Sequence, residues 1–544
     1  MELLRELTRL QDELGWLSND TLRQLATERR LPLYRLEGLV SFYPHFRRSP
    51  PKRAEVHICR DVVCAMHGSD DCRARLKERL GGDVELHEVS CLGRCDSAPA
   101  VAINDVSIAP TTLAETDAVL SLIDDTSALP TPVPTTTPRT WRCDPYSSPA
   151  DRYETVRSLV ASPVLLGETC VGYLQDRGGR GMGGAGFPTG MKWELVAQEE
   201  ATPKYVICNA DESEPGTFKD RVILEELPHL VIEGMLLAGL TTGAEQGIIY
   251  IRHEYVKERM ALERELVRAR DTGVLGSDAA GSGRAFDIEI FVSPGGYILG
   301  EETALLEALE DKRGEPRNKP PYPVQHGLWG KPTLINNVES FALATSIVHH
   351  GPTWWKEQGA DGCGGLKFVC ISGDITEPGV YEIPVGTPVS GLIEQAGGIV
   401  DGKALKAFLP GGASTDFLPA SAVDTPQDFD AMKQAGSALG TGAVIVFAEG
   451  RDLFTLATNL VRFFRNESCG KCVPCRIGSE QAVRTLEAVS EGEAGPQVLE
   501  ELPQLGDTLL QTSICGLGQV ALVPILSMLR HFPEEAPHDV SSNH

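Results

Sequence analysis

The chain has 544 residues, of which 42% are hydrophobic and 23% charged, so it can bury several cores and is not disordered throughout. Its formal net charge of −26 disfavours nucleic acids and anionic membranes as partners, since both attract basic proteins. The N-terminus lacks the apolar core of a secretory signal, and the longest apolar runs are too short to cross a bilayer. We therefore expect a cytoplasmic protein without direct membrane insertion, whose 14 cysteines are mostly core thiols or metal ligands.

Hydrophobic periodicity and Pro-rich stretches divide the chain into segments. Leucines at helical spacing predict helices near the N-terminus, and a strand, helix, strand, strand pattern follows them. The expected segments are a helical arm (1–50), a small α/β domain (51–125), a Pro/Thr-rich linker (126–150), a large α/β unit (151–350), a compact β-rich domain (351–448), a helical domain (449–531) and a flexible tail (532–544).

Two cysteine pairs in the small α/β domain, Cys59-x4-Cys64 and Cys91-x3-Cys95, each begin where a strand-like stretch ends. Loops at neighbouring strand ends can present four thiolates to one metal centre, and spacing alone supports zinc and an iron–sulfur cluster about equally. The stretch from SFYPHF through both pairs to EVSCLGRCDSAPA resembles the thioredoxin-like [2Fe–2S] subunit of respiratory complex I, the 24-kDa type. This resemblance, over about the first 120 residues, implies a [2Fe–2S] cluster on the four cysteines.

The large α/β unit contains a glycine-rich loop, GGRGMGGAGF (residues 178–187). It matches the dinucleotide motif G-x-G-x-x-G from Gly181, but the preceding VGYLQDR has a polar, helical pattern, whereas that motif follows a buried strand. We therefore reject an ordinary Rossmann unit. Six glycines still let backbone N–H groups approach a phosphate, and Lys192 can add a positive charge. A merely flexible surface loop fits poorly with the embedded Phe187, Pro188 and Trp193.

An acidic loop, CNADESEPGT (residues 208–217), follows the strand-like KYVI. Ligands of α/β proteins bind at such strand ends, and its Asn and carboxylate side chains suit the hydroxyls of a ribityl or ribose chain. A solvated acidic loop or a divalent-ion site is the alternative. Two further motifs, GGYILGEET (295–303) and NKPPYP (318–323), precede LINNVE (334–339).

Together these motifs resemble the FMN- and NADH-binding 51-kDa subunit of complex I and its relatives in NAD-linked hydrogenases and formate dehydrogenases, over about residues 160–530. The resemblance implies a phosphate cradle, contacts to the flavin side chain and a border for NADH. The implied cofactor-binding residues are Gly181, Gly183, Gly184 and Lys192 for the phosphate region; Asn209, Asp211 and Glu212, with Asn336 and Asn337 beside them, for the flavin side chain; Glu214 (near nicotinamide), Phe187, Lys319, Tyr322, Glu301 and Glu302 for NADH; and Tyr297 and Gly300. Met182 departs from the pattern, since complex I relatives usually carry Arg there.

A second cysteine set comprises Cys469, Cys472 and Cys475, with Cys515 40 positions further on. Three thiolates within seven residues can hold three corners of a cubane, and zinc rarely uses ligands so closely spaced. The resemblance likewise implies a [4Fe–4S] cluster. Nearby basic residues would favour the reduced cluster, unless they are only solvated helix-face charges: Arg462, Arg465, Lys471 and Arg476.

The predicted fold is an α/β multidomain protein with a thioredoxin-like ferredoxin domain, a Rossmann-like FMN/NAD domain, a β-grasp-like module of the soluble-ligand-binding type and a C-terminal helical bundle. NADH donates a hydride whereas clusters accept single electrons, so a flavin belongs between them and no catalytic side chain is required. We predict an NADH:acceptor oxidoreductase (diaphorase) subunit that uses FMN, NAD(H), a [4Fe–4S] cluster and a [2Fe–2S] cluster.

No motif suggests a NiFe, molybdopterin or quinone site, so we expect a partner: a catalytic subunit with a Mo/W or NiFe centre and further iron–sulfur clusters. Fusion of the small cluster domain to the flavin unit favours the β subunit of an NAD-dependent formate dehydrogenase. The alternatives are the diaphorase subunit of an NAD-reducing hydrogenase, the complex I subunit and, from a different class, a non-catalytic zinc- and nucleotide-binding scaffold. We also expect Glu302 to repel the extra phosphate of NADPH.

Overall fold

The structure, a computed structural model, describes residues 1–108, 116–135, 139–162, 166–175 and 180–537. Gly178 and Gly179 of the glycine loop and residues 538–544 of the expected tail lie outside these ranges. Within the ranges, no helix is both long enough and apolar enough to span a bilayer.

The N-terminal arm consists of α1 (Glu2–Leu14), α2 (Asn19–Glu28) and α3 (Leu33–Phe42). Leu3, Leu4 and Leu7 recur at helical spacing and form the buried face of α1. The arm is held to the large α/β unit at its first residue, because the Met1 ammonium lies 2.8 Å from the Asp311 carboxylate.

The small α/β domain contains β1 (Ala54–Cys59), α4 (Val62–Met66), α5 (Ser69–Arg79), β2 (Val84–Val89), β3 (Val101–Ile103), β4 (Val106–Ile108) and α6 (Thr116–Asp124). Its sheet has the order β2-β1-β3-β4. β1 and β2 are parallel, with Cys59 opposite Val89, and β3 and β4 add antiparallel. Because parallel strands end at the same edge of a sheet, the loops after β1 and β2 lie side by side.

The large α/β unit contains α7 (Glu154–Val160), α8 (Leu166–Gln175), α9 (Thr189–Gln198), β5 (Tyr205–Ala210), α10 (Lys219–Glu226), α11 (Pro228–Thr242), β6 (Gln246–Arg252), α12 (Val256–Asp271), β7 (Asp287–Ser293), α13 (Glu302–Leu309), α14 (Pro323–His326), β8 (Thr333–Asn337) and α15 (Val338–Glu357). Its strands, in the order β7-β6-β5-β8, are all parallel. β5 and β6 are apolar and buried along nearly their whole length, which is typical of parallel strands. The acidic loop therefore starts at the carboxyl end of a central strand.

The β-rich domain contains β9 (Leu366–Gly373), β10 (Gly379–Pro384), α16 (Val389–Gln395), β11 (Leu405–Leu409), β12 (Leu418–Pro419), α17 (Phe429–Gln434) and β13 (Ala443–Ala448). Its sheet has the order β10-β9-β13-β11-β12, with β9 and β13 parallel and the other pairs antiparallel. The expected boundary after residue 350 falls inside α15, at a bend where Gly351 has a φ of 79° and precedes Pro352.

The C-terminal bundle contains α18 (Leu453–Asn466), α19 (Val473–Ser490), α20 (Leu502–Thr512), α21 (Gly516–Val520) and α22 (Val523–His531). Asp452 caps the N-terminus of α18, because its side chain accepts a hydrogen bond from the Thr455 amide at 3.0 Å. The succession of α/β domains and a terminal helical bundle confirms the predicted fold class.

The described part of the linker is docked onto two domains. Trp141 is buried and its indole N–H donates to Glu226 at 2.9 Å. The Glu382 carboxylate on β10 accepts hydrogen bonds from the amides of Arg142 and Cys143. The linker therefore joins the large α/β unit to the β-rich domain.

We expect Gly234→Ala to destabilise the protein, because a Cβ on Gly234 of α11 would lie 2.1 Å from the carbonyl oxygen of Phe341 on α15. Relieving this backbone clash should cost about 2–3 kcal/mol and lower Tm by several degrees. The matched control is Gly172→Ala on α8, where nothing lies within 4 Å of the added Cβ. That substitution should leave Tm unchanged or raise it, because Ala favours a helix over Gly. Equal Tm changes in the two variants, measured by calorimetry, would contradict the packing interpretation.

Candidate functional site

The first cysteine set lies at the edge of the small sheet where β1 and β2 end. Cys59 is the last residue of β1, Cys64 lies in α4, Cys91 follows β2, and Cys95 begins the next turn. All four side chains are at most 4% exposed, and the Sγ atoms of Cys91 and Cys95 are 3.5 Å apart. The sheet topology thus brings both cysteine pairs to one place, and four buried thiols fit an iron–sulfur cluster.

Backbone amides point at sulfur atoms of this set. The Gly93 and Ala100 amides each donate to a sulfur atom at 3.4 Å, and the Gly216 amide donates to Cys95 Sγ at the same distance. Hydrogen bonds to ligand sulfurs stabilise the thiolate form and tune a cluster's potential. Because Gly216 belongs to the acidic loop, the small domain and the large α/β unit share one hydrogen bond at this sulfur.

Arg252, the last residue of β6, connects the same two domains. Its guanidinium donates to the Cys91 carbonyl oxygen at 2.8 Å and to the Glu212 carbonyl oxygen, and it lies 2.7 Å from the Glu254 carboxylate. Together with the hydrogen bond from the Cys95 thiol, the larger cause, this charge lowers the pKa of Cys91 to about 7. Two more ion pairs join the small α/β domain to the large α/β unit: Arg221–Asp96 at 2.6 Å and Arg94–Glu258 at 3.5 Å. In the sequence, none of these three arginines can be distinguished from an ordinary charged residue beside an apolar strand.

The described part of the glycine loop, residues 180–187, turns tightly beside the end of β8. The Gly181 amide donates to the Phe187 carbonyl oxygen at 2.8 Å. A Cβ on Gly183 would lie 3.1 Å from the Asn337 side chain, and Gly184 has a φ of 102° that favours glycine. The loop therefore presents a backbone-lined cradle that a side chain would fill, and this fits the phosphate of FMN.

Unsatisfied oxygen atoms lie next to this cradle. The side-chain Nδ2 of Asn209 donates to the Gly300 carbonyl oxygen at 2.8 Å. By contrast, both carboxylate oxygens of Asp211 and Oδ1 of Asn336 are buried without a hydrogen-bond partner among the described residues. Burial raises the pKa of Asp211 to about 8, and the positive charge of Arg252 opposes this increase. Such orphaned acceptors fit the hydroxyl donors of a ribityl chain.

Other carboxylates of the acidic loop are already engaged by the protein. Glu212 accepts hydrogen bonds from the Asp220 amide at 2.9 Å and the Tyr255 hydroxyl at 2.8 Å, and burial raises its pKa to about 7. Glu214 accepts a hydrogen bond from the Ser414 amide of the β-rich domain at 2.8 Å. These two residues shape the walls of the site, and their direct contact with a cofactor stays a prediction.

Four buried charges lie beneath the glycine loop, and sequence reasoning did not find them. Lys219 Nζ lies 2.7 Å from Asp220 and 2.9 Å from Glu339, and it donates to Asn337 Oδ1 at 3.2 Å. Lys367 of β9 lies 3.5 Å from the same Glu339 carboxylate. The charged side chains are at most 4% exposed. The one signal that could have found Lys367 is a lysine within the apolar strand LKFVCISG.

The residues expected to border NADH lie at the rim of the cradle. Lys319 Nζ lies 2.6 Å from Glu302 and 3.2 Å from Glu301, and Lys192 Nζ lies 3.7 Å from Glu302 while donating to the Ile335 carbonyl oxygen at 3.0 Å. Glu301 also caps α13 with its carboxylate. The structure thus gathers both acids and both lysines into one network.

Three aromatic side chains expected at the site differ in exposure. Phe187 and Tyr322 are 43% and 50% exposed, with Lys192 Nζ 5.9 Å from the Phe187 ring centroid. Exposed rings of this size are available to stack on a planar ligand. Tyr297 instead packs edge-on against Phe463 of α18, with centroids 4.9 Å apart, and so joins the rim to the helical bundle.

The second cysteine set is held by the starts of two helices. Cys472 and Cys515 immediately precede α19 and α21, and Cys475 lies in the first turn of α19. A Cβ on Gly518 would lie 2.9 Å from Cys475 Cβ, so glycine is needed for α21 to approach this close. Cys469, Cys472 and Cys515 are partly exposed and Cys475 is buried. Four such cysteines fit a cubane. Within the described ranges, no three His, Cys, Asp or Glu side chains are gathered tightly around the position of a single metal ion.

The basic residues near these cysteines have partners of their own. Arg462 lies 2.7 Å from Glu487, Arg465 lies 3.0 Å from Glu480, and Lys471 donates to the Pro316 carbonyl oxygen at 2.6 Å; Arg476 donates to the Gly470 carbonyl oxygen. Two of the four charges are therefore neutralised by carboxylates, and their effect on a cluster stays a prediction.

Glu467 connects both cysteine sets with the rim. Its carboxylate accepts hydrogen bonds from the Ser90 hydroxyl, beside Cys91, and from the Tyr297 amide at 2.9 Å. Since Glu467 precedes Cys469 by two positions, one side chain joins the two candidate cluster sites to the candidate nucleotide site.

Family models match four parts of the chain. They are the thioredoxin-like [2Fe-2S] ferredoxin (residues 1–124), the Nuo51 FMN-binding domain (174–345), the SLBB domain (368–417) and the NADH-ubiquinone oxidoreductase-F iron-sulfur binding region (455–538). These matches confirm the predicted FMN, [2Fe–2S] and [4Fe–4S] cofactors and the thioredoxin-like and flavin-binding domains.

Individual proteins match over most of their length. The F subunit of the NADH-quinone oxidoreductase of Escherichia coli strain K12 is 40% identical over 416 residues, 74% of this chain and 92% of that protein. The F 2 subunit of the Rhizobium meliloti enzyme is 44% identical over 357 residues, 65% of this chain and 85% of that protein. The crystal structure of an NAD+-reducing [NiFe]-hydrogenase in the H2-reduced state superposes with a TM-score of 0.87 at 32% identity, covering 98% of this chain and 94% of that one. The chain therefore belongs to the family of NADH-quinone oxidoreductase F subunits, which are flavin iron–sulfur oxidoreductase subunits.

Proposed function

We propose that the chain exchanges electrons between NAD(H) and a separate partner subunit that holds the catalytic metal centre. The observation that carries this proposal is the direct connection of the three sites. The Gly216 amide of the acidic loop donates to Cys95, and the Glu467 carboxylate bridges Ser90 and Tyr297. Hydrogen-bonded contact between the sites keeps electron carriers close together, which single-electron transfer requires.

Each group of residues has one task in this proposal. Phe187 and Tyr322 stack on the nucleotide at the exposed rim, and Lys319 with Glu302 fixes its hydroxyl groups. Asp211 accepts hydrogen bonds from the flavin side chain, with Asn336 beside it. Bound FMN supplies the exchange between a two-electron hydride donor and one-electron carriers. The protein orients the reactants and excludes water, and no side chain has to accept or donate a proton.

We also propose the class of enzyme to which this chain contributes its electron-transfer subunit. The hydrogenase structure matches 98% of this chain, the small cluster domain included, and this favours a fused diaphorase of a NAD-linked enzyme with a catalytic metal subunit. Within that class we propose first the β subunit of an NAD-dependent formate dehydrogenase, on the ground that the small cluster domain is fused to the flavin unit. The NAD-reducing hydrogenase, which the matching structure supports, is the second candidate. The relatives from NADH-quinone oxidoreductases match 65–74% of the chain and support the complex I alternative.

Purification of the native complex tests this proposal. The chain should carry about six iron atoms, a visible iron–sulfur spectrum and NADH–ferricyanide activity. Molybdenum or tungsten in the complex indicates a formate dehydrogenase, and nickel indicates a hydrogenase. A complex without any of these metals indicates the complex I alternative. A colourless, zinc-loaded chain without diaphorase activity would overturn the proposed function.

We expect Glu302→Gln to raise the preference for NADPH. The substitution removes one carboxylate that would repel the extra phosphate and leaves Lys319 paired with Glu301 alone, so the Lys319 ammonium can attract that phosphate. The ratio of kcat/KM for NADPH to that for NADH should rise about tenfold, equivalent to about 1.4 kcal/mol. Glu307→Gln, on the same helix and paired with Arg317, is the control that should leave the ratio unchanged. An unchanged ratio in Glu302→Gln would show that this carboxylate does not select NAD.

A further inference from the structure

Lys367 belongs to the β-rich domain, but its ammonium lies beneath the glycine loop of the large α/β unit. The side chain is 1% exposed, and β9 is buried along its whole length. Nζ lies 3.5 Å from the Glu339 carboxylate and 3.6 Å from the sulfur atom of Met182 in the glycine loop. A Cβ on Gly442 would lie 2.4 Å from the Lys367 side chain, so this glycine leaves its path open.

Glu339, in the first turn of α15, joins the two domains at this point. One carboxylate oxygen accepts a hydrogen bond from the Phe368 amide of β9 at 2.9 Å, and the other lies between Lys367 and Lys219. Both lysines are buried, and each lies next to this one carboxylate. A displacement of β9 would therefore displace Glu339 and with it the first turn of α15.

The start of α15 in turn supports the glycine loop. The Met182 amide donates to the Ser340 hydroxyl at 2.9 Å, and Gly183 lies against the Asn337 side chain. Asn337 caps α15 by accepting a hydrogen bond from the Glu339 amide at 3.0 Å. The cradle is thus fixed from below by residues that Glu339 holds in place.

Lys367 supplies one of the two positive charges in the ion-paired group beneath the loop, next to which the buried Glu212 carboxylate also lies. Lys219 and Lys367 oppose Asp220 and Glu339. Loss of the Lys367 charge leaves one buried carboxylate without compensation, directly below the place where a phosphate would bind. An unpaired buried charge is strongly destabilising, and a negative one also repels a phosphate. Burial, together with repulsion from Lys219, lowers the pKa of Lys367, whereas the closer carboxylates raise that of Lys219.

We propose that Lys367 is a positioning residue of the flavin site, through which the β-rich domain holds the glycine loop in its FMN-binding shape and balances the charge beneath the phosphate. The inference rests on the proposed role of the glycine loop as the phosphate cradle. It gives the β-rich domain a part in FMN retention, in addition to its place between the flavin domain and the helical bundle.

The test compares FMN affinity in variants of the full chain. Lys367→Met removes the ammonium and keeps the length of the side chain, and FMN fluorescence on release should show an affinity at least about tenfold weaker. Glu339→Gln leaves an excess positive charge and should also disturb the loop. The double variant Lys367→Met/Glu339→Gln restores the charge balance and should recover most of the affinity lost in Lys367→Met. With saturating FMN, kcat should recover and the KM for NADH should stay close to that of the unmodified chain.

The control is Lys406→Met, in the same domain. Lys406 is half-buried and pairs with Glu535, away from the glycine loop. Its loss should lower Tm without changing FMN affinity. If Lys367→Met lowers Tm but not FMN affinity, or if the double variant binds FMN no better than Lys367→Met, Lys367 is merely a structural contact and the inference is wrong. If the unmodified chain itself fails to bind FMN, the proposed function fails instead.

Discussion

Arg252 stands at the end of β6 with its guanidinium buried, and a buried cation is stable only when its charge is paired and its donors are used. Two of its nitrogen atoms lie within 2.9 Å of the Glu254 carboxylate. The remaining donors reach the carbonyl oxygens of Cys91 and Glu212, one in each of two domains. The loop of the first cysteine set and the acidic loop are therefore fixed relative to each other by the requirement to satisfy one guanidinium.

The same principle operates under the glycine loop, where the shared buried group is a carboxylate instead of a guanidinium. Glu339 is shared by Lys219 of the large α/β unit and Lys367 of the β-rich domain. Both junctions are buried, so water cannot replace a missing partner, and each domain depends on its neighbour for the shape of the site. The candidate site is consequently composite, because residues of more than one domain determine its shape.

This arrangement suits a chain that passes electrons between different carriers. The cysteines of the small domain are almost wholly buried, whereas three of the four cysteines in the helical bundle are partly exposed. The candidate nucleotide site has exposed aromatic rings at its rim, and the oxygens of Asp211 and Oδ1 of Asn336 there have no hydrogen-bond partner among the described residues. The bundle therefore holds the more accessible of the two candidate cluster sites.

Much of the architecture could be predicted from local sequence signals. The leucine spacing of α1 and the apolar run of β5 each indicate a local conformation or burial, and both were readable without a structure. The docking of the linker through Trp141 and the bend of α15 at Gly351 were not readable, because each depends on a partner or backbone geometry supplied by the folded chain.

The features of the candidate site likewise divide into those that can be read from the sequence and those that depend on the folded chain. The residue types that could carry the chemistry were recognisable from the sequence: the spacing of the eight cysteines, the glycines of the loop and the acids after β5. Which of those groups remain available to a ligand, and which are used inside the protein, depends on the folded chain. Among the described residues the Asp211 carboxylate has no hydrogen-bond partner, whereas both oxygens of the adjacent Glu212 accept hydrogen bonds. The tertiary structure also decided the pairings of Arg252 with Cys91, 161 positions apart, and of Lys367 with Glu339. Such pairings follow from the need to neutralise charge where water is excluded, and only packing of the whole chain determines where that is.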